Sequence, residues 1–449
     1  MYRCRECGYQ SLKWLGRCPQ CGTWESLEPY QERTRPSVFE SVSPFTSKPQ
    51  SLAEIPSEES RRWPTGFSEF DRVLGGGVVA GSLVLIGGEP GIGKSTLLLQ
   101  IAQQLALTTR EGEPILYVSG EEASGQIKLR ADRMSLPIAP NLLVLSEQSL
   151  PVIAGNIAGT KAAAVIVDSI QAVFPEGAKE GIGSPQQVGQ ATFALNQIAK
   201  SQKIPIFLIG HITKAGDFAG PKAIEHMVDV ALYLEGGRDS DVRILRAVKN
   251  RFGSTDEVGV FQMKPQGLEE ILNPSQFFTE RSREPKPGSV IVPSIEGTRP
   301  ILVEIQALVA STRSGYPQRR ATGLDFNRIA LLIAVLEKRL DIHIGSDDVY
   351  LNVAGGLTLK ETATDLGIAA AVVSSFKYRP VDVDTIVVGE VGLSGEVRRV
   401  KKLRERLMEA AKLGYKRAII PKGENFGKVE LADLSPVKDV QEAMEALGL

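Results

Sequence analysis

Gly88-Glu89-Pro90-Gly91-Ile92-Gly93-Lys94-Ser95-Thr96 is assembled from the residue types that hold a polyphosphate. The spacing G-x-x-x-x-G-K-[ST] lets backbone N–H groups turn inward around an oxyanion, where side chains at the glycines would intrude. Lys94 is then placed to reach the β- and γ-phosphates, and the Ser95 hydroxyl to ligate Mg²⁺, so ATP with Mg²⁺ is the expected ligand. A chance glycine-rich turn is the competing reading. It is disfavoured because an apolar run (Leu83, Val84, Leu85, Ile86) precedes the loop and a helical pattern (Leu98, Ile101, Ala102, Leu105) follows it.

A second chemistry lies at the N-terminus, where all four cysteines fall within the first 21 residues as Cys4-x2-Cys7 and Cys18-x2-Cys21, each pair followed by glycine. Two such knuckles place four thiolates tetrahedrally around a structural Zn²⁺. Two disulfides would need an oxidising compartment, and a redox dithiol would need only one pair. Trp14 and Trp24, with Arg3, Arg5, Lys13 and Arg17 nearby, offer either a stacking and phosphate-contacting face or a solvated basic rim.

Carboxylates come next. Ile115-Leu116-Tyr117-Val118 runs into Ser119-Gly120-Glu121-Glu122, and a carboxylate beside a γ-phosphate orients or activates the attacking water. Glu121 is the first candidate and Glu122 the alternative; a solvated acidic loop is the non-functional reading. Ala162 to Val167 is a continuous apolar run closed by Asp168, which fits the acid that organises Mg²⁺. His211, one of three histidines, stands just past the apolar run Ile204–Ile209, as a γ-phosphate sensor or as a structural histidine. Lys249 and Arg251, in Lys249-Asn250-Arg251-Phe252-Gly253, are expected on one strand face, where such charges serve a neighbouring protomer's phosphate.

The elements that must carry these groups read as an α/β chain: a zinc module at 1–28, a linker at 29–62, an ATPase domain at 63–280 and a second α/β domain at 285–449. The linker is rich in Ser, Pro, Glu, Gln and Thr. The segment from Pro64 to Gly77 is similar to the entry of RecA-type ATPases. Loops at 174–189 and 212–225, carrying Lys179, Lys214 and Lys222, leave the edge of the sheet that holds the nucleotide and suit a phosphate backbone, although on their residues alone ordinary surface loops are the preferred reading. In the last domain, Ser289 to Val292 and Ile301 to Val309 read as strands, and Asp325 opens a helix through Leu340. A net charge of −1 and a 42% hydrophobic share describe a globular chain in which a polyanion must be met by local patches. With no signal core and no apolar run of 18 residues, the expected location is the cytoplasm, away from membranes.

Taken together, the four-cysteine module, the Gly88–Thr96 loop, Tyr117-Val118-Ser119-Gly120-Glu121-Glu122, Gly210-His211-Ile212-Thr213-Lys214 and Lys249-Asn250-Arg251-Phe252-Gly253 resemble the bacterial RadA (Sms) family in its own order. The resemblance implies a zinc ribbon, a RecA-like core with a parallel sheet, and a Lon-protease-like C-terminal domain. It implies a DNA-dependent ATPase that works as a hexameric ring and branch-migration helicase on single-stranded and branched DNA, with RecA recombinase as a partner. Lys249 and Arg251 correspond to the family's basic pair, acting across the protomer interface and on DNA.

Lon chemistry needs a serine and a lysine. Here Ala363 is aligned with the serine and Arg404 with the lysine, with Thr362, Thr364 and Lys402 one step away. Arginine stays protonated and cannot act as a base, so no peptidase activity is expected. The run Arg398, Arg399, Lys401, Lys402, Arg404 and Arg406 reads as a DNA track or a solvated helix face. A Lon-like peptidase is the alternative function. A clock-type ATPase ranks last, for it lacks the cysteine module and duplicates its core.

Overall fold

The computed structural model describes residues 2–29, 51, 62–109, 112–134, 137–175, 183–211, 223–237, 240–279, 284–312, 315–423 and 427–449. Two compact units are present, Met1–Ile55 and Pro56–Leu449. In the first, β1 (Tyr2–Cys4) pairs antiparallel with both β2 (Gln10–Ser11) and β3 (Leu27–Pro29). Its buried apolar residues are Cys4, Cys18 and Leu27, with Tyr2, Tyr9 and Leu15 packed against them. Burial on that scale does not offset the ~1–2 kcal/mol of backbone entropy lost per ordered residue, so metal must supply the difference.

The second unit begins with α1 (Ser68–Leu74), ended by Gly75 in the left-handed conformation. Strands and helices then alternate: β4 (Leu83–Gly87), α2 (Lys94–Thr108), β5 (Ile115–Ser119), α3 (Ser124–Arg133), β6 (Leu142–Ser146), α4 (Leu150–Thr160), β7 (Ala164–Asp168), α5 (Pro185–Gln202), β8 (Ile206–Ile209), α6 (Ala223–Met227) and β9 (Val230–Glu235). A meander of β10 (Val242–Asn250), β11 (Val258–Lys264) and β12 (Gly267–Glu270) completes one sheet of order β12-β11-β10-β9-β4-β8-β7-β5-β6. The strands from β9 to β6 in that order are mutually parallel. β4, β5 and β8 are buried at every position, which is why their sequences are mostly apolar rather than alternating, Tyr117 and Ser119 of β5 being the polar exceptions. The α2 helix is buried well beyond the one face its pattern suggests, because β12 covers its outer side and Gln100 bonds both Leu268 N and Leu268 O.

After α7 (Pro274–Phe278), a second sheet of order β15-β16-β14-β13-β17-β20-β21 forms. Its strands are β13 (Ser289–Glu296), β14 (Arg299–Ser311), β15 (Arg319–Thr322), β16 (Asp347–Val353), β17 (Thr385–Val387), β20 (Arg417–Pro421) and β21 (Asp433–Val437), while β18 (Glu390–Val391) and β19 (Val397–Arg398) pair separately. Helices α8 (Phe326–Leu340), α9 (Asp365–Phe376), α10 (Leu403–Lys412) and α11 (Val440–Leu447) flank it. Asp325 starts α8 by accepting a bond from Arg328 N at 2.8 Å. The two sheets share a core: Val242, Val260, Ile271 and Phe278 pack in one cluster with Val292, Ile305 and Leu332. Glu69, with no exposed surface, ties them by accepting Arg299 Nη1 at 2.8 and 3.0 Å and Val260 N at 2.9 Å.

One element of the expected basic track is corrected. Arg406 is buried, 1% exposed, with its guanidinium on both oxygens of Glu361 and on Pro293 O, so it fills the domain interior and cannot meet DNA. A helix-face reading misses this because α10 turns that side onto β13 and β14. No helix among the described residues is long and apolar enough to cross a membrane.

Candidate functional site

Strand β4 delivers the chain to the loop and α2 carries it away, beginning at Lys94. Gly93 sits at the helix cap with φ 113°, a conformation that disfavours a side chain, and a Cβ there would lie 2.4 Å from Met263 Cε, so that the Met263 side chain would have to shift. Lys94 is 3% exposed and its Nζ donates to Gly88 O at 2.7 Å and Glu89 O at 2.9 Å. Burial pulls this amine down to about 8, opposed by the charges of Asp168 and Glu121. A polyphosphate restores the preference for the ammonium. Below about pH 8 the ligand-free amine is already charged, whereas above it binding must take up a proton. ATP affinity is therefore expected to fall as pH rises from 8 to 9.5, by up to ~tenfold per unit. Calorimetry in buffers of different ionisation enthalpy would detect the proton uptake; a flat profile contradicts it.

The candidate acids are brought to the same sheet edge by strand register, since β5 pairs with β7 so that Ser119 lies opposite Asp168. Asp168 Oδ2 accepts the Tyr117 hydroxyl at 2.6 Å. Glu121 accepts the Ser169 hydroxyl and stands 3.6 Å from His211 Nε2. Its charge reaches Lys94. Glu122 is occupied differently: its carboxylate pairs with Arg130 and its N–H bonds Ser119 Oγ at 3.0 Å. The two carboxylates thus have different partners, Ser169 and His211 for Glu121 and Arg130 for Glu122.

Tyr117, Ser169 and Arg130 receive no role from sequence. Tyr117 has a visible signal, a hydroxyl inside a mostly apolar strand, which must find a partner when buried. Burial and the Asp168 charge hold it well above its usual range, so it stays a donor. Ser169 and Arg130 carry no comparable mark in the sequence.

Lys249 and Arg251 lie elsewhere. β9 runs parallel to β4 but β10 runs antiparallel to β9, and Asn250 pairs with Val230 while Ile244 pairs with Glu235. The segment is therefore at the opposite end of the sheet from the phosphate loop, about 16 Å away along the five-residue ladder at ~3.3 Å per residue. A bulge between Ala247 and Lys249 precedes the pair, and Arg251 follows the last residue of β10 with its N–H on Asp229 O at 3.1 Å; burial and then the Arg251 charge pull the Lys249 amine down. Lys249 Nζ donates to Glu225 O at 3.0 Å and His226 O at 2.9 Å, and the Arg251 guanidinium is 3.4 Å from Asp229 Oδ1. Asp229, 3% exposed, also holds Lys200 and Leu83 N. Asn250 and Phe252 fasten the turn, through Asn250 Nδ2 to Val73 O at 3.1 Å and Arg62 Nη2 to Phe252 O at 2.5 Å. Lys179, Lys214 and Lys222 lie outside the described residues.

In the N-terminal unit the four cysteine sulfurs lie within 4.8 Å of one another, with Cys4–Cys21 at 3.7 Å and Cys7–Cys18 at 3.5 Å. Tetrahedral Zn–S bonds of ~2.3 Å require sulfur separations of about 3.8 Å, so the donor set fits Zn²⁺. Each knuckle closes with Gly8 N to Cys4 O and Gly22 N to Cys18 O, both at 2.9 Å. Cys18→Ser is expected to release the metal and unfold this unit while leaving the melting of residues beyond Pro64 unchanged; metal analysis and two-phase calorimetry would check it, and retained zinc would refute it. Trp24 and Trp14 are 69% and 54% exposed, and Arg17 lies over Trp24 at 5.7 Å, while Arg5 pairs with Glu28.

At the position aligned with Lon's nucleophile, Ala363 is buried and the Thr364 hydroxyl is bound to Glu361 O at 3.0 Å. Arg404 is exposed. Neither supplies a nucleophile with an adjacent base.

A phosphate loop, paired acids and a parallel sheet, preceded by a four-thiolate zinc ribbon and followed by a Lon-protease-like α/β domain, define a RecA-like ATP hydrolase using ATP, Mg²⁺ and Zn²⁺. Family models match in the same order: a rubredoxin metal binding domain over residues 2–29, an AAA domain over 49–217 and the subunit ChlI of Mg-chelatase over 327–424. The chain is 48% identical to "DNA repair protein RadA" of Bacillus subtilis over 447 residues, 98% of this chain and 97% of that one. It is 46% identical to the protein of the same name from Aquifex aeolicus over 446 residues, 99% and 98% of the two chains. Among solved structures, an isolated ATPase domain aligns at 16% identity and a TM-score of 0.42, over 49% of this chain and 95% of that chain. The chain belongs to the DNA repair protein RadA family and is a DNA repair ATPase.

Proposed function

We propose that this ATPase assembles as a hexameric ring on single-stranded and branched DNA in the cytoplasm and drives branch migration of recombination intermediates, with RecA recombinase as its protein partner. The working parts are a zinc module at 1–28, a linker at 29–62, an ATPase domain at 63–280 and an assembly platform at 285–449. Gly88 to Thr96 hold the triphosphate, Ser95 and Asp168 the Mg²⁺, Glu121 orients the water and His211 senses the γ-phosphate. Lys179, Lys214 and Lys222 contact the DNA backbone. The observation that carries the reading is the separation of Lys249 and Arg251 from their own phosphate loop by the length of the sheet. Charges so placed reach a triphosphate only on a neighbouring copy, which makes a closed ring or filament a condition of turnover. Electron microscopy with a non-hydrolysable ATP analogue and forked DNA tests it. Six-fold rings threaded by one strand are expected; monomers on DNA would overturn it.

A further inference from the structure

We infer that Arg243 is a positioning residue for the phosphate loop, and that the C-terminal domain sets its grip through Ser240. The inference rests on the loop at Gly88–Thr96 holding the triphosphate. Arg243 lies at the start of β10, on the nucleotide edge of the sheet, and its Nε donates to Ile92 O at 3.1 Å. The N–H groups of such a loop point at the phosphates; Gly88 O and Glu89 O are taken by Lys94, and Ile92 O by Arg243, which braces the loop from the β10 side. Its Nη1 donates to Val242 O at 2.9 Å and to Ser240 O. No ion pair with this guanidinium forms among the described residues. Burial pulls this half-buried guanidinium's pKa down and the charge of Asp241 opposes that, so besides three carbonyls it has one carboxylate in its field, to which a bound triphosphate adds negative charge.

Ser240 joins this brace to the other sheet. Its hydroxyl donates to Gly355 O at 3.2 Å and accepts Val242 N at 3.1 Å. The turn Ala354–Gly356 follows β16, and a Cβ on Gly356 would lie 2.6 Å from Ser240 Cβ, so the two backbones are in close approach. Movement of the C-terminal domain therefore has a path of four residues to the loop: Gly355, Ser240, Arg243, Ile92. A brace of this kind acts on the bound ground state and the transition state alike, and shows in KM rather than kcat.

The test uses the full chain, measuring ATP turnover and the dissociation constant of a fluorescent ATP analogue for Arg243→Met, Arg243→Lys, Ser240→Ala and, as control, Lys94→Ala. Arg243→Met should raise KM and the dissociation constant ~tenfold with kcat within ~threefold; Arg243→Lys should recover part of the loss and Ser240→Ala shift both constants the same way by a smaller factor. Unchanged constants, a fall in kcat alone, or a lysine variant no better than methionine would overturn the inference. If Arg243→Met fails to fold, Arg243→Lys and Ser240→Ala decide, with the same readings. Loss of affinity in Lys94→Ala beside a normal Arg243→Met defeats only the brace; normal affinity in Lys94→Ala defeats the loop assignment itself.

Discussion

Glu121→Gln is expected to lower ATP turnover by ~10²- to 10³-fold while ATP binding changes by no more than a few-fold. The amide keeps the size of the side chain and can still meet the Ser169 hydroxyl, but it cannot polarise a water or take its proton. Glu122→Gln should behave otherwise. Its carboxylate is held by Arg130, so the substitution loosens the segment between β5 and α3 and lowers thermal stability, with turnover within ~tenfold. Single-turnover measurements separate the two, because binding and chemistry are then read apart. If Glu122→Gln is the dead variant and Glu121→Gln the active one, the assignment is reversed.

The second large effect concerns Lys249 and Arg251. Arg251→Ala should leave nucleotide binding by isolated protomers intact and reduce turnover by ~10³-fold, the scale of a cation that neutralises transition-state charge from outside the site. Lys249→Ala should also abolish strand displacement. Mixing distinguishes action across an interface from action within a protomer. A random assembly of Glu121→Gln with Arg251→Ala contains intact composite sites at about a quarter of its interfaces, so two inactive proteins should regain turnover on mixing. Equal loss of ATP binding in Arg251→Ala, or no recovery on mixing, would contradict action in trans.

Those parts of the site that depend on short-range pattern are legible in the sequence. The turn at Gly88–Thr96 and the two cysteine knuckles are set by local spacing, and Asp168 is visible because a buried aliphatic strand announces where it ends. Three things are not legible, for a shared physical reason. Tyr117 meets Asp168, Arg406 meets Glu361 and Arg243 meets Ile92 across 51, 45 and 151 residues of chain, and such pairings are decided by strand order and packing. The basic pair sits where a strand pattern is least informative: a bulge after Ala247 precedes it, and Arg251 falls one residue past the end of β10. The α2 helix reads as one-faced because its polar positions, Gln100 and Gln103, carry no sign that they are buried.

That nucleotide cleavage in the RecA-like core is spent on moving DNA is tested most directly by steady-state ATP turnover in one preparation, with and without single-stranded DNA, alongside displacement of a labelled strand from a fork. Turnover is predicted to rise with DNA and displacement to vanish in Lys94→Ala. Turnover indifferent to DNA, or displacement that survives in Lys94→Ala, would contradict the account.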